Sequence, residues 1–195
     1  MRIQRFVLDT SVFTTYEGNK KSIEKHILEL IDLIVEGRTK GISCYFPPST
    51  WKELVGILEK KGIPKEKIEK LDAWTIEKNP SVLELTIPAK FLEDYLLENF
   101  ERINKGLRET EKIISLAKEK PEEECIKLLR KKYREAVRKG IIDSKEDLDA
   151  LFLAKELNAG LVTEDEGLIK WAKKWGIRYE DGKSFRKLLE EVAMS

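Results

Sequence analysis

An α/β fold, a parallel β-sheet flanked by helices and carrying an inserted long helical hairpin, is what this sequence predicts. Three observations lead there. Short apolar runs alternate with helix-periodic segments at both ends of the 195-residue chain. About fifty residues of almost unbroken helix former lie between those ends, from Pro88 to Gly140. Acidic residues stand where the apolar runs stop or the helices begin, the edge at which parallel sheets bind their ligands.

Taken in order, Arg5 to Asp9 reads as a short buried strand closed by the polar Asp9-Thr10-Ser11 turn. Ile23, Ile27, Leu30, Ile31 and Ile34 then recur at helical spacing, so a helix is expected over Lys21–Glu36. A second strand is expected over Gly41–Phe46, broken by Pro47-Pro48, after which Ser49 can cap a helix over Thr50–Lys61. Gly62-Ile63-Pro64 ends that helix, and a further short one runs to Leu71. The segments Trp74–Lys78 and Val82–Ile87 are extended or ambiguous around Asn79-Pro80.

The central block reads as two antiparallel helices broken near Pro121. Phe91, Tyr95, Leu96, Phe100, Ile103, Leu107, Ile113, Ile114 and Leu116 are expected to pair with Ile126, Leu128, Leu129, Tyr133 and Val137. So thin an arm, inserted at about 89–139 into one domain spanning 1–195, leaves apolar surface for another subunit on its outer part. The rhythm then resumes. A helix is expected over Lys145–Leu157, a strand over Gly160–Thr163, a helix over Glu166–Trp175, a strand near Ile177–Tyr179 and a last helix through Phe185–Val192.

Composition narrows the class. No uncharged apolar run approaches the roughly 20 residues of a membrane span, and no signal-like cleavage site is evident, so a cytoplasmic protein is expected. Cys44 and Cys125 are far apart and without Cys or His partners at ligand spacing, which points to buried thiols rather than a disulfide framework or a zinc site. The net charge of +1 conceals a concentration of about a dozen Lys and Arg between Lys105 and Lys139, including Arg130, Lys131, Lys132 and Arg134. Such an arm can hold nucleic-acid phosphates by releasing counterions. It can equally be a solvated Glu–Lys face, for which Glu109, Glu111 and Glu122 to Glu124 supply the acids.

Asp9, Asp143, Asp147 and Asp165 are the residues on which chemistry is expected to rest. Ionised carboxylates brought within a few Å repel one another unless a cation neutralises them, so a fold that gathers four is gathering a metal. Oxygen ligands favour Mg²⁺, with Mn²⁺ as the alternative, over zinc. Asp143 and Asp147 are four apart and share a face if a helix begins near Ser144, although Ser144 and Asp147 also form a Ser-x-x-Asp capping pattern. Asp149 lies about 200° round that helix from Asp147 and falls to a supporting position.

Val7-Leu8-Asp9-Thr10-Ser11, Asp147-Leu148-Asp149-Ala150-Leu151-Phe152-Leu153-Ala154 and Leu161-Val162-Thr163-Glu164-Asp165, in that order, resemble the PIN-domain nucleases. The resemblance implies that Asp9, Asp147 and Asp165 bind one or two divalent ions and that Ser11 and Thr163 steady the site. It leaves open whether Glu53 supplies a further acid. With the helical insertion and Asp143, the whole chain resembles the minimal protein-only ribonuclease P family, HARP, also called RNA ligase partner. That family implies removal of the 5′ leader of precursor tRNA, and assembly through the helical arm into a large homo-oligomer, a dodecamer. The chemistry expected is in-line attack of a metal-activated water on phosphorus, leaving a 5′-phosphate and a 3′-hydroxyl. Two alternatives share these features: a toxin-type PIN ribonuclease, and a non-catalytic RNA-binding partner of an RNA ligase. His26, alone of its kind, is not expected to act as a base; Tyr16, in the turn after Asp9, is placed to contact RNA.

Overall fold

In a computed structural model, which describes residues 4–16, 19–116, 121–138, 142 and 144–194, five parallel strands form one sheet in the order β3-β2-β1-β4-β5. The strands are β1 (Gln4–Leu8), β2 (Ile42–Phe46), β3 (Ile76–Glu77), β4 (Gly160–Val162) and β5 (Tyr179–Glu180). Central β1 is buried through Phe6, Val7 and Leu8, as a strand covered on both faces must be. It pairs Phe6 with Cys44 on one side and Leu8 with Val162 on the other.

Helices α1 (Ser11–Thr14), α2 (Lys20–Thr39), α3 (Pro48–Lys61), α4 (Lys65–Trp74), α7 (Lys145–Leu157), α8 (Glu166–Trp175) and α9 (Gly182–Ala193) belong with the sheet in one compact unit, 1–85 with 144–195. Ile27, Leu30, Ile31 and Ile34 of α2 pack with Phe6, Phe46, Leu54, Phe185 and Leu189 in its core. Cys44 and Cys125 are both buried, and burial pushes the Cys44 thiol up to about 12, so that thiol is inert at neutral pH. No helix among the described residues is long and apolar enough to cross a membrane.

The α/β class and its parallel sheet agree with the sequence; local differences are instructive. The turn after Asp9 closes into the single helical turn α1, too short to carry periodicity. Ser49 does not cap α3. Pro47 takes the N-cap position with Pro48 inside the helix, which frees the Ser49 hydroxyl for a longer reach described below.

The second unit, 86–143, contains α5 (Ala89–Leu116) and α6 (Glu122–Arg138), packed against each other; the expected break falls on 117–120, outside the described residues. Its seam keeps Phe91 and Ile113 of the expected apolar stripe but not the positions between them. Phe91, Glu98, Arg102, Gly106 and Ile113 are the buried positions of α5, a 7-4-4-7 spacing that follows one helix face. A Cβ on Gly106 would meet the Tyr133 ring at 2.7 Å, so this glycine sets how closely the helices approach. Leu96, Phe100, Ile103, Leu107 and Ile114, expected in the seam, face solvent instead, Phe100 with 61% of its surface exposed. The sequence carries a seam with a charged middle beside an apolar outer stripe, and hydropathy alone assigns that stripe to the seam.

Candidate active site

β1 and β4 run side by side and end together, so the residues that follow them emerge at one carboxyl edge of the sheet. The Asp9 backbone N–H continues the ladder to the Val162 carbonyl at 3.0 Å. The Asp9 side chain is buried, and four donors on two chain segments hold it, the weakest being Ser11 N–H to Oδ2 at 3.4 Å. Thr10 N–H donates to Oδ1 at 2.7 Å, while the hydroxyls of Ser11 and Thr163 both donate to Oδ2, Thr163 at 2.8 Å.

A hydroxyl has one proton. With both protons directed at Asp9, the 3.3 Å approach of Ser11 Oγ to Thr163 Oγ1 carries none, and each oxygen accepts from the next segment instead. Ser11 Oγ accepts from Glu164 N–H at 2.8 Å and Thr163 Oγ1 from Asp165 N–H at 3.0 Å. The Asp9 carboxylate is thereby locked to the loop that presents Asp165. Asp165 opens α8 as its N-cap, Oδ1 accepting from Leu168 N–H at 2.8 Å, so the cap fixes the orientation of its carboxyl group.

Asp147 sits in the first turn of α7, where its N–H donates to the Ser144 cap at 3.0 Å. Asp143 lies outside the described residues. Asp149, only 6% exposed, points elsewhere: it accepts from Ser49 Oγ at 2.7 Å and pairs with Lys145, which ties the start of α7 to the start of α3. Replacing Asp149 with Ala strands the Ser49 hydroxyl and should cost about 1.5–3 kcal/mol, read as a lower midpoint in urea unfolding.

Two acids escaped the sequence reading or were left open by it. Glu53 in α3 accepts from Thr10 Oγ1 at 3.5 Å; its carboxyl is held above the usual range by burial, then by the negative charges of Asp9 and Glu146. Glu146 directly precedes Asp147, and acids in a first turn are so common that nothing marked it. Like charges pressing on one another across β1, α3 and α7 suit a divalent cation and hard oxygen ligands. Among the described residues, no three acidic, His or Cys side chains converge to metal-ligating distance.

Arg130, Lys131, Lys132 and Arg134 are all exposed on α6, with Lys132 tied to Glu135 at 3.0 Å. His26 takes no place at the acidic edge; its Nδ1 meets Arg186 Nη1 at 2.9 Å, and its ring stacks on Tyr16.

Comparison with known proteins places these features among relatives. Residues 5–194 match the family model described as PINc domain ribonuclease. The chain is 43% identical to the RNA-free ribonuclease P of Haloarcula marismortui, over 96% of this chain and 91% of that protein. It is 40% identical to the RNA-free ribonuclease P of Methanocaldococcus jannaschii, over 98% and 93%, and 38% identical to that of Methanothermobacter thermautotrophicus, over 96% of each.

Proposed function

We propose that this chain, which belongs to the PINc domain ribonucleases and within them to the RNA-free ribonuclease P family, removes the 5′ leader of precursor tRNA without an RNA subunit. The observation that carries this reading is the span of the likeness: relatives named for that activity match 96–98% of the chain, helical insertion included. A toxin-type nuclease has no need of such an insertion.

Asp9, Asp143, Asp147 and Asp165 would hold the cation, Mg²⁺ in the working enzyme and Mn²⁺ as a substitute, with Glu53 and Glu146 adding negative charge beside it. A divalent ion at such a site lowers the pKa of water and offsets charge developing on the scissile phosphate. The chain's own contribution is positional. Ser11 and Thr163 fix the Asp9 carboxylate, the α8 cap fixes Asp165, and the clamp from Asp149 to Ser49 seats the turn that carries Asp147. The products expected are a 5′-phosphate and a 3′-hydroxyl, formed in the cytoplasm.

The exposed cations of α6 serve in this reading as the grip on tRNA phosphates, and the outer stripe of α5 as the contact between copies in a large homo-oligomer such as a dodecamer. Charged residues placed on that stripe, Phe100→Glu with Leu107→Glu, should reduce the sedimenting species to smaller assemblies; an unchanged profile puts the subunit contacts elsewhere. The activity itself is tested by incubating the purified, RNA-free protein with 5′-labelled precursor tRNA and Mg²⁺. One cut at the mature 5′ end supports ribonuclease P; scattered cuts favour a general PIN nuclease, and binding without cleavage favours a scaffold.

A further inference from the structure

A cleft of about 900 Å³ opens beside the acidic edge, within the sheet-bearing unit, lined in part by Val12, Tyr16, His26, Glu164, Lys183 and Arg186. We infer that it holds the first unpaired nucleotide of the 5′ leader, with the base stacked on Tyr16 and the adjoining phosphate near Lys183; this rests on the reading that precursor tRNA is the substrate.

Placement is the first support. Val12 follows Ser11 directly, and Glu164 donates its N–H to Ser11 Oγ, the oxygen that holds Asp9. The segments that build the acidic edge therefore also wall the cleft, and a nucleotide in it is a short step along the strand from a phosphate at Asp9.

The lining supplies the second support. Tyr16 stacks on His26 with ring centroids 4.2 Å apart and planes 11° from parallel, yet remains 44% exposed, so ring surface is available to a base. Behind it, the arginine guanidinium is a donor only, so His26 Nδ1 accepts from Arg186 and the imidazole proton resides on Nε2. Burial and then the Arg186 charge lower the His26 pKa, in keeping with a neutral ring at pH 7. Arg186 is itself anchored by Glu29 at 2.6 Å and Glu190 at 2.9 Å, which makes Tyr16–His26 a braced aromatic platform. The two carboxylates lining the cleft are engaged, Glu29 with Arg186 and Glu164 with the Gly182 N–H at 2.7 Å, whereas no ion pair among the described residues involves Lys183. A phosphate meets a cation there.

Why the leader rather than the mature end follows from the nucleic acid. On the mature side of the cut, bases are paired and stacked inside the acceptor helix, whereas a stacking platform takes an unpaired base. Along the strand being cut, only the leader side offers one.

Binding measured in EDTA, where the proposed metal-dependent cleavage is arrested, separates the two ends of the substrate. For a precursor with a short single-stranded leader, Tyr16→Ala should weaken binding about tenfold, the lower part of the range for loss of one base–aromatic stack. Mature tRNA with a 5′-phosphate should bind wild type and variant alike, and Tyr16→Phe should keep the leader preference. An abasic site at the first leader position should weaken wild-type binding by a similar factor and leave Tyr16→Ala insensitive, a comparison that does not depend on how well the variant folds. Equal weakening for both RNAs, or a wild type indifferent to the abasic site while still cutting at the mature 5′ end, overturns the inference alone. A wild type that makes no such cut overturns the functional reading and this inference with it.

Discussion

Asp9→Asn should abolish cleavage while leaving the protein folded and able to bind RNA. The substitution keeps shape and removes charge at the residue about which the acidic edge is organised. A cation contributes several kcal/mol to charge stabilisation during phosphoryl transfer, so losing a central ligand should lower the single-turnover rate by about 10³-fold or more. Folding should suffer less. Asn can still accept from Ser11 and Thr163 through its amide oxygen, although its NH₂ then faces the Thr10 N–H that Asp9 Oδ1 now receives at 2.7 Å. RNA affinity should hold or rise, because one negative charge near the phosphates is gone. Asp147→Asn should behave in the same way. Turnover retained in either variant removes the metal-site account.

The second large effect is expected on the arm. Replacing Arg130, Lys131, Lys132 and Arg134 together with Ala should weaken RNA binding by roughly 10- to 100-fold at physiological salt, and reduce the slope of log K against log salt by about 3. Lys132 contributes less than its neighbours because Glu135 already neutralises part of its charge at 3.0 Å. Measuring affinity at several salt concentrations separates this from a folding defect, which changes the amount of competent protein rather than the slope. An unchanged slope assigns the phosphate grip to other cations.

Much of this architecture is legible in the sequence because its signals are local. An apolar run ended by Asp9, helical spacing in α2 and the Gly160–Val162 run ahead of Thr163 announce a parallel sheet and the edge where the acids gather. What escapes depends on groups far apart in the chain. Ser49 has the sequence signature of a cap, yet Pro47 takes that position and Ser49 bonds to Asp149, a hundred residues away. Glu146 looks like an ordinary first-turn acid and Glu53 is left open by the sequence, and only the folding of α3 and α7 brings their charge to bear with that of Asp9. The hairpin misleads for a different reason. Its seam accepts Glu98 and Arg102 as an ion pair four residues apart, and Gly106 because glycine allows close approach, while the apolar stripe is left for solvent. Hydrophobic spacing identifies a stripe and cannot say what covers it.

Manganese binding, followed by electron paramagnetic resonance on the RNA-free protein, asks whether the carboxyl edge of the sheet is a divalent-metal site, the property on which cleavage there depends. Titrated wild type should deplete the free Mn²⁺ signal saturably, and Asp9→Asn and Asp165→Asn should each weaken that depletion while unfolding at close to the wild-type temperature. Equal depletion by wild type and both folded variants contradicts the account.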